Sequence, residues 1–362
     1  MSKRTVIPFG PQHPVLPEPV HLDLVMEDEK VVTAIPRIGF IHRGLEKLVE
    51  KRDYTQFVYI TERICGICSF GHSMGYSQCI EQLMGIEVTD RAEYLRVIFH
   101  ELSRIHSHLL WLGLMADAFG YEALFMHAWR LREEVLDIFE ATTGGRVIFS
   151  ACDVGGFRQD VENSVLQGMV ATLQKIRGEY HTLSKTFLLD SSVKNRLVGV
   201  GYLSKEQAIE CSMVGPFARA SNYAIDERLK SIGAYADLAA FEPVLSDQGD
   251  CYARCEVRIK EVLQSIDIIE ELVSKIPDGD VMVPVKGAPE AGARAMSTLE
   301  QPRGTVFYYS EGNGTKFLER MRIRTPTSQN LAGLVTALGG CEFADVPIII
   351  LTIDPCISCT ER

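Results

Sequence analysis

Four cysteines in two pairs are the residues on which chemistry can be built. Cys65 and Cys68 stand in Glu62-Arg63-Ile64-Cys65-Gly66-Ile67-Cys68, with His72 four residues further on; Cys356 and Cys359 stand in Asp354-Pro355-Cys356-Ile357-Ser358-Cys359. Both sulfurs of a CxxC turn can face one centre, so two such turns can enclose one soft, thiophilic metal: zinc, iron-sulfur or nickel. Zinc ribbons keep their pairs much closer in sequence, whereas nearly the whole chain separates these two. The other six, Cys79, Cys152, Cys211, Cys251, Cys255 and Cys341, have no CxxC partner and read as core or surface thiols.

The composition bounds what such a centre serves. A chain of 362 residues that is 46% hydrophobic can bury a substantial core. Its net charge of −11, without a Lys/Arg block, argues against nucleic acid as a partner. The longest apolar runs, Val346–Ile353 and Leu109–Met115, fall far short of the ~18–20 residues that span a bilayer, so membrane association is expected only through partners. No secretory leader is legible at the start, which points to the cytoplasm, where thiols stay reduced.

The elements that must position the cysteines can be read around them. Alternation in His21–Met26 and Val31–Ile35 predicts a β-hairpin, and Ile41–Leu48 starts a helix whose pattern continues toward Tyr59. His72–Met84 reads as helix. Leu95, Ile98, Phe99, Leu102, Ile105, Leu109 and Leu112 predict one long helix over Arg91–Phe119. Ala123–Thr143, Val161–Leu189, Asn222–Phe241 and Arg254–Lys275 extend the set into a bundle, and Ser204 with Gln207 forms a capping-box pattern. Strands follow at Val281–Val285, Thr305–Ser310 and Lys316–Arg324, and Val346–Ile353 reads as a last strand delivering the C-terminal cysteines. The expected fold is α+β, predominantly helical: one domain over 1–362, with a helical bundle at 90–276 between β-containing parts at 1–60 and 280–355.

The flanks of the two cysteine pairs resemble the signature motifs of nickel-iron hydrogenase large subunits. Gly10-Pro11-Gln12-His13-Pro14 with Glu18-Pro19, Arg43-Gly44-Leu45-Glu46, the segment Arg104–Gly113 and Gln301-Pro302-Arg303-Gly304 resemble the energy-converting, membrane-bound branch related to respiratory complex I. The resemblance implies nickel bound by Cys65, Cys68, Cys356 and Cys359, with Cys68 and Cys359 bridging to an iron that carries carbon monoxide and cyanide. A low-coordinate nickel leaves an open position where dihydrogen can be split into unlike charges, the proton passing to a thiolate.

Further roles follow from the same resemblance. His72 would donate to the sulfur of Cys359, Arg303 would hold one cyanide, Thr327 the other, and Glu18 would take the proton from Cys356. In classical members a carboxylate at the position of Glu46 helps bind magnesium or iron together with a terminal histidine. Glu46 is thus a candidate ligand for magnesium or iron here too, but Arg362 occupies that end, and a Glu46–Arg362 ion pair is the alternative to the cation. His106 and His108 are expected to be hydrogen-bonders of the bundle core. No cysteines remain for an iron-sulfur cluster of the chain's own. The implied partners are therefore an iron-sulfur small subunit, membrane-embedded and ferredoxin-type subunits and ferredoxin, on the cytoplasmic side of the membrane. The competing reading is a metal-free, complex I-type quinone-site or coupling subunit, whose members lack the four cysteines.

Overall fold

The chain opens with an antiparallel sheet in the order β1 (Arg4–Phe9), β2 (His21–Glu27), β3 (Lys30–Arg37). This is a computed structural model, and it describes residues 4–230 and 232–362. The alternation of β2 buries Leu22, Leu24 and Met26 on one face, as a half-buried strand requires. Between β1 and β2, Gly10 adopts φ 90°, and a Cβ there would lie 1.8 Å from the Val20 carbonyl oxygen; only glycine allows that backbone approach.

The helix expected from Ile41 toward Tyr59 is interrupted. It divides into α1 (Leu45–Leu48), a 3₁₀ turn at Val49–Lys51 and α2 (Tyr54–Glu62), because Asp53 accepts a hydrogen bond from Thr55 N and caps a new helix start. Next come α3 (Ser69–Met84) and α4 (Asp90–Ala118). Thr89 caps α4, and Asp90 and Glu93 complement its N-terminal dipole. The seven apolar residues that predicted it are all fully buried. Each contributes about 1.5–3 kcal/mol by leaving water, so α4 is the axis of the fold.

Around that axis pack α5 (Glu122–Thr143) and α10 (Cys251–Lys275), with α6 (Asn163–Leu189) closing against both. A two-stranded pair, β4 (Cys152–Asp153) and β5 (Gly156–Phe157), and the short helices α7 (Ser191–Leu197), α8 (Lys205–Glu210) and α9 (Gly215–Arg219) connect them. The Ser204–Gln207 capping box forms at the start of α8. A second antiparallel sheet, β6 (Arg294–Gln301), β7 (Gly304–Gly312) and β8 (Leu318–Arg324), packs on α3. The chain ends with α11 (Pro326–Leu338), α12 (Val346–Ile353) and α13 (Ile357–Thr360).

Three sequence readings are corrected. Val346–Ile353 is a helix, α12, and not a strand: Pro347 suits a first helical turn but cannot donate to a ladder, and Asp354 ends the helix at φ 57°. An all-apolar octet carries no period to decide between the two. Asn222–Phe241 is not one helix. Asn222 is left-handed at φ 56°, and only 3₁₀ turns form at Glu227–Lys230 and Gly233–Asp237, because Asp226 and Arg228 are drawn into buried ion pairs. Val281–Val285 makes an isolated bridge, Met282 to Gly156, with no ladder. Residues 1–3 and Ser231, which fell within the N-terminal and 222–241 expectations, lie outside the described residues.

Candidate metal centre

Two turns far apart in the sequence meet, one between α2 and α3 and the other after α12. Cys65 and Cys68 lie between α2 and α3, with Cys68 at the N-cap of α3; Cys356 is the N-cap of α13, which carries Cys359. The four Sγ atoms lie within 4.8 Å of one another and are buried. They approach most closely as Cys65 with Cys356 and Cys68 with Cys359, each pair at 3.3 Å, and none is in a disulfide. Arg43 joins the two turns by donating to the carbonyls of Arg63 and Ile64 (both 2.8 Å) and of Ser358 (3.0 Å). Glu361 completes the clasp, accepting from the Gly39 amide at 2.6 Å and from the Ile41 amide.

The side chains around the sulfurs are ordered by further contacts. His72, on α3, places Nε2 3.3 Å from Cys359 Sγ and Nδ1 2.6 Å from the Tyr308 hydroxyl on β7. Burial, first of all, holds the Tyr308 phenol well above its usual range, so its hydroxyl keeps a proton that it can donate to Nδ1, an arrangement that leaves Nε2 to donate to the sulfur. Arg303 donates through Nε to the Asp354 carbonyl and through Nη2 to Asp354 Oδ1, both at 2.9 Å, while its buried Nη1 and Asp354 Oδ2 have no protein partner among the described residues. Gly215, at φ 72°, lets α9 close over this turn, since a Cβ there would lie 2.3 Å from the Arg303 carbonyl oxygen. The Thr327 hydroxyl accepts from Cys356 N at 2.9 Å, leaving its own proton free to donate. Glu18 accepts from the Ile357 amide; burial raises its carboxyl, against the lowering charge of Arg303.

The donor set fits a thiophilic cation. Without one, the sulfurs share their protons unequally. Hydrogen bonds from Cys356, Cys359 and Cys65 hold Cys68 well below the usual thiol range, whereas burial and then the neighbouring thiols push Cys359 well above it. Four thiolates cannot coexist in a buried space on protein charge alone, and a metal resolves that conflict. The unpartnered Arg303 Nη1 fits a second requirement, an acceptor other than protein beside the sulfurs.

Glu46 does not fit a cation. Its Oε1 lies 3.3 Å from Arg362 Nη2 and accepts from the Ile323 amide at 2.9 Å, while Oε2 accepts from Arg322 at 2.9 Å. His108 bonds Glu261 at 3.0 Å, but His106 does not follow the expectation: neither ring nitrogen has a partner among the described residues, and it packs edge-on to Phe149. Tyr308, Asp354 and Arg43 were missed as positioning residues. Asp354 and Arg43 lie inside quoted motifs, and their proximity to the cysteines was the available signal; Tyr308 carries none, being one tyrosine of a strand.

Residues 118–290 and 283–362 match the family described as respiratory-chain NADH dehydrogenase, 49 kDa subunit, and residues 43–116 match the family described as nickel-dependent hydrogenase. The chain is 37% identical over 372 residues to the membrane-bound hydrogenase subunit alpha of Pyrococcus furiosus, covering 98% of this chain and 87% of that one. It is also 37% identical over 361 residues to a carbon monoxide-induced hydrogenase of Rhodospirillum rubrum, covering 98% and 99%. A chain in the structure of a membrane-bound sulfane sulfur reductase, described as an archaeal respiratory membrane complex, superposes with a TM-score of 0.92 at 29% identity, covering 99% and 98%.

Proposed function

The chain belongs to the family that unites the large subunits of membrane-bound, energy-converting hydrogenases with the 49 kDa subunit of respiratory-chain NADH dehydrogenase, and within it we propose a catalytic role: reversible heterolytic cleavage of dihydrogen at a nickel-iron site. The observation that carries this reading is the convergence of four buried thiols from both chain ends. A nickel bound by these sulfurs beside an iron with carbon monoxide and cyanide ligands would supply the open, redox-active position where dihydrogen is split.

The chain's residues divide the remaining work. Cys65, Cys68, Cys356 and Cys359 would hold the metal group, Cys65 and Cys356 on the nickel alone and Cys68 and Cys359 shared with the iron, a division in keeping with the two close sulfur pairs. Cys356 Sγ receives the proton, and Glu18, whose carboxylate is anchored on the next residue's amide, accepts it. Arg303 Nη1 and the Thr327 hydroxyl would hold the cyanides, and Asp354 fixes the guanidinium that presents Nη1. His72 Nε2 donates to Cys359 and withdraws electron density from that sulfur. Among the described residues no second cluster of ligands forms. Electrons therefore leave through an iron-sulfur small subunit toward ferredoxin, in a complex attached to the cytoplasmic side of the membrane by partners; no helix of the structure is long and apolar enough to cross one.

The competing reading, a metal-free coupling subunit of the complex I type, is favoured by the 49 kDa match over the C-terminal two thirds. It leaves four converging thiols without a purpose. Metal analysis of the complex, produced with its maturation machinery, separates the two. Nickel and iron bound in the wild type and lost in Cys65→Ser support the catalytic reading; zinc alone, with hydrogen turnover unchanged in Cys65→Ser, contradicts it.

A further inference from the structure

A second polar centre lies between α4, α9, α10, the end of β6 and the turn at 226–228. Arg219 donates to Glu261 Oε1 (Nε 3.0 Å, Nη2 2.8 Å) and to Glu300 Oε1 (Nη1 2.7 Å), and lies 3.2 Å from Asp226 Oδ2. Arg228 grips Asp226 twice, Nε to Oδ1 at 3.0 Å and Nη2 to Oδ2 at 2.8 Å. Arg104 and Arg228 reach Glu101 Oε2 at 3.1 and 3.5 Å. Every one of these side chains is at most 1% exposed.

Within this bonded cluster four carboxylates face three guanidiniums. An unmatched charge in such a place costs several kcal/mol, and a group there neutralises by binding a proton. The neighbouring bases do not supply the missing charge. Burial lowers both His100 and His108 to about 4, so each is neutral at pH 7. Arg258 donates to the carbonyls of Thr352 and Ile353, both at 2.8 Å; its charge acts on Glu261 through space, but among the described residues it makes no hydrogen bond to the four acids. Lys230 is paired with Glu227, which adds no positive charge.

Glu300 is the acid held most weakly. Glu101 also accepts from Tyr235 and Ser265, Glu261 from His108, and Asp226 twice from Arg228. Among the described residues, Glu300 Oε1 has one guanidinium bond, and Oε2 has the Thr305 hydroxyl at 3.2 Å and the Glu227 amide at 3.3 Å. Burial and then the Asp226 charge push its carboxyl up to about 7, against Arg219 and Arg104. Beside it opens a narrow cavity of about 10 Å³, whose polar lining is Gln78, Glu227, Arg228, Tyr235, Thr298 and Glu300, and which has room for a single water.

We propose that Glu300 is a buried proton-binding site, exchanging one proton with solvent through this cavity. The proton completes the charge balance of the Arg219 cluster. Its arrival or departure changes the charge on the segment that carries Arg303, three residues on, and so biases the potential around the thiols. The site needs no metal, and its test is independent of the hydrogenase reading.

Infrared difference spectra of the assembled complex, titrated with pH in H₂O and in D₂O after ¹³C-glutamate labelling, read the carboxylic acid directly. Glu62 is a second carboxyl pushed up to about 7, chiefly by burial, so the measurement is made in a Glu62→Gln background. A labelled, deuterium-sensitive acid band that disappears as pH rises through neutrality is expected, and Glu300→Gln should abolish it. Asp226→Asn, which removes the like charge, should move the midpoint downward, and this serves where Glu300→Gln fails to fold. No titrating acid band between roughly pH 5 and 9, a band that survives Glu300→Gln, or a midpoint unmoved by Asp226→Asn would overturn the assignment.

Discussion

The cysteine centre and the Arg219 cluster are both buried, yet they satisfy their polar atoms by opposite means. At the first, four soft donors converge from two distant segments, and among the described residues no protein cation is bonded to the sulfurs and Arg303 keeps one nitrogen unused. At the second, hard acids and guanidiniums from five elements bond to one another and fall short by a single charge. The first is therefore a site for an added group, and removing a ligand from it should cost function more than fold. The second is part of the fold's own balance, and removing a member should cost the fold first.

That contrast is open to direct attack. The largest effect is expected from Cys356→Ser: bound nickel and hydrogen turnover fall to background, while circular dichroism of the chain stays that of the wild type. Loss of the fold along with the metal would erase the distinction between the two regions. Arg219→Ala should act the other way, since it strips three carboxylates of their shared partner. Breaking such buried pairs costs ~3–5 kcal/mol, which thermal unfolding of the complex would register as a clear fall in melting temperature. An unchanged melting temperature would show that the cluster does not hold the fold.

Glu18→Gln is the finer test of the first region. It keeps the contact to the Ile357 amide but cannot relay a proton. Metal content should be retained while hydrogen–deuterium exchange falls by about 10²–10⁴, the usual contribution of a general acid or base; near-normal exchange would move the relay elsewhere. A smaller effect is expected from pH. Glu300 and Glu62 carry carboxyls raised to about 7, so between the ordinary carboxylate value and 7 the folded chain binds more protons than the unfolded one. Their contribution is complete at acidic pH and is lost as pH rises through 7, and Glu300→Gln should flatten that slope. Smallest of all, Arg362→Ala removes one of the two arginine partners of the part-exposed Glu46 and should change stability by no more than ~1 kcal/mol in denaturant titration.

The same contrast explains how much could be read from the sequence. Cys65, Cys68, Cys356 and Cys359 announce themselves because a CxxC turn is a local pattern; His72 follows the first turn closely, and Arg303 stands in the separate segment Gln301-Pro302-Arg303-Gly304. The long helices were legible because α4 and α6 keep one apolar period over many turns. The Arg219 cluster was not legible. Arg104, Arg219, Asp226, Glu261 and Glu300 are single charged letters on different elements, and a buried arginine has the same letter as a solvated one. The helix expected over 222–241 fails for the same reason: Asp226 and Arg228 within it turn inward to buried ion pairs. α12 was misread for another reason, since Val346–Ile353 is apolar on every side and only its surroundings and Pro347 make it helical.

The central claim is that the four thiols hold a nickel-iron group with diatomic ligands. Infrared absorption of the purified complex in the region of metal-bound carbon monoxide and cyanide, a window that protein leaves empty, tests it most directly. The account predicts sharp bands there that disappear in Cys68→Ser and shift in Arg303→Lys, whose ammonium replaces the guanidinium beside them. A complex that turns over hydrogen, carries its full complement of metal and shows no band in that window would contradict it.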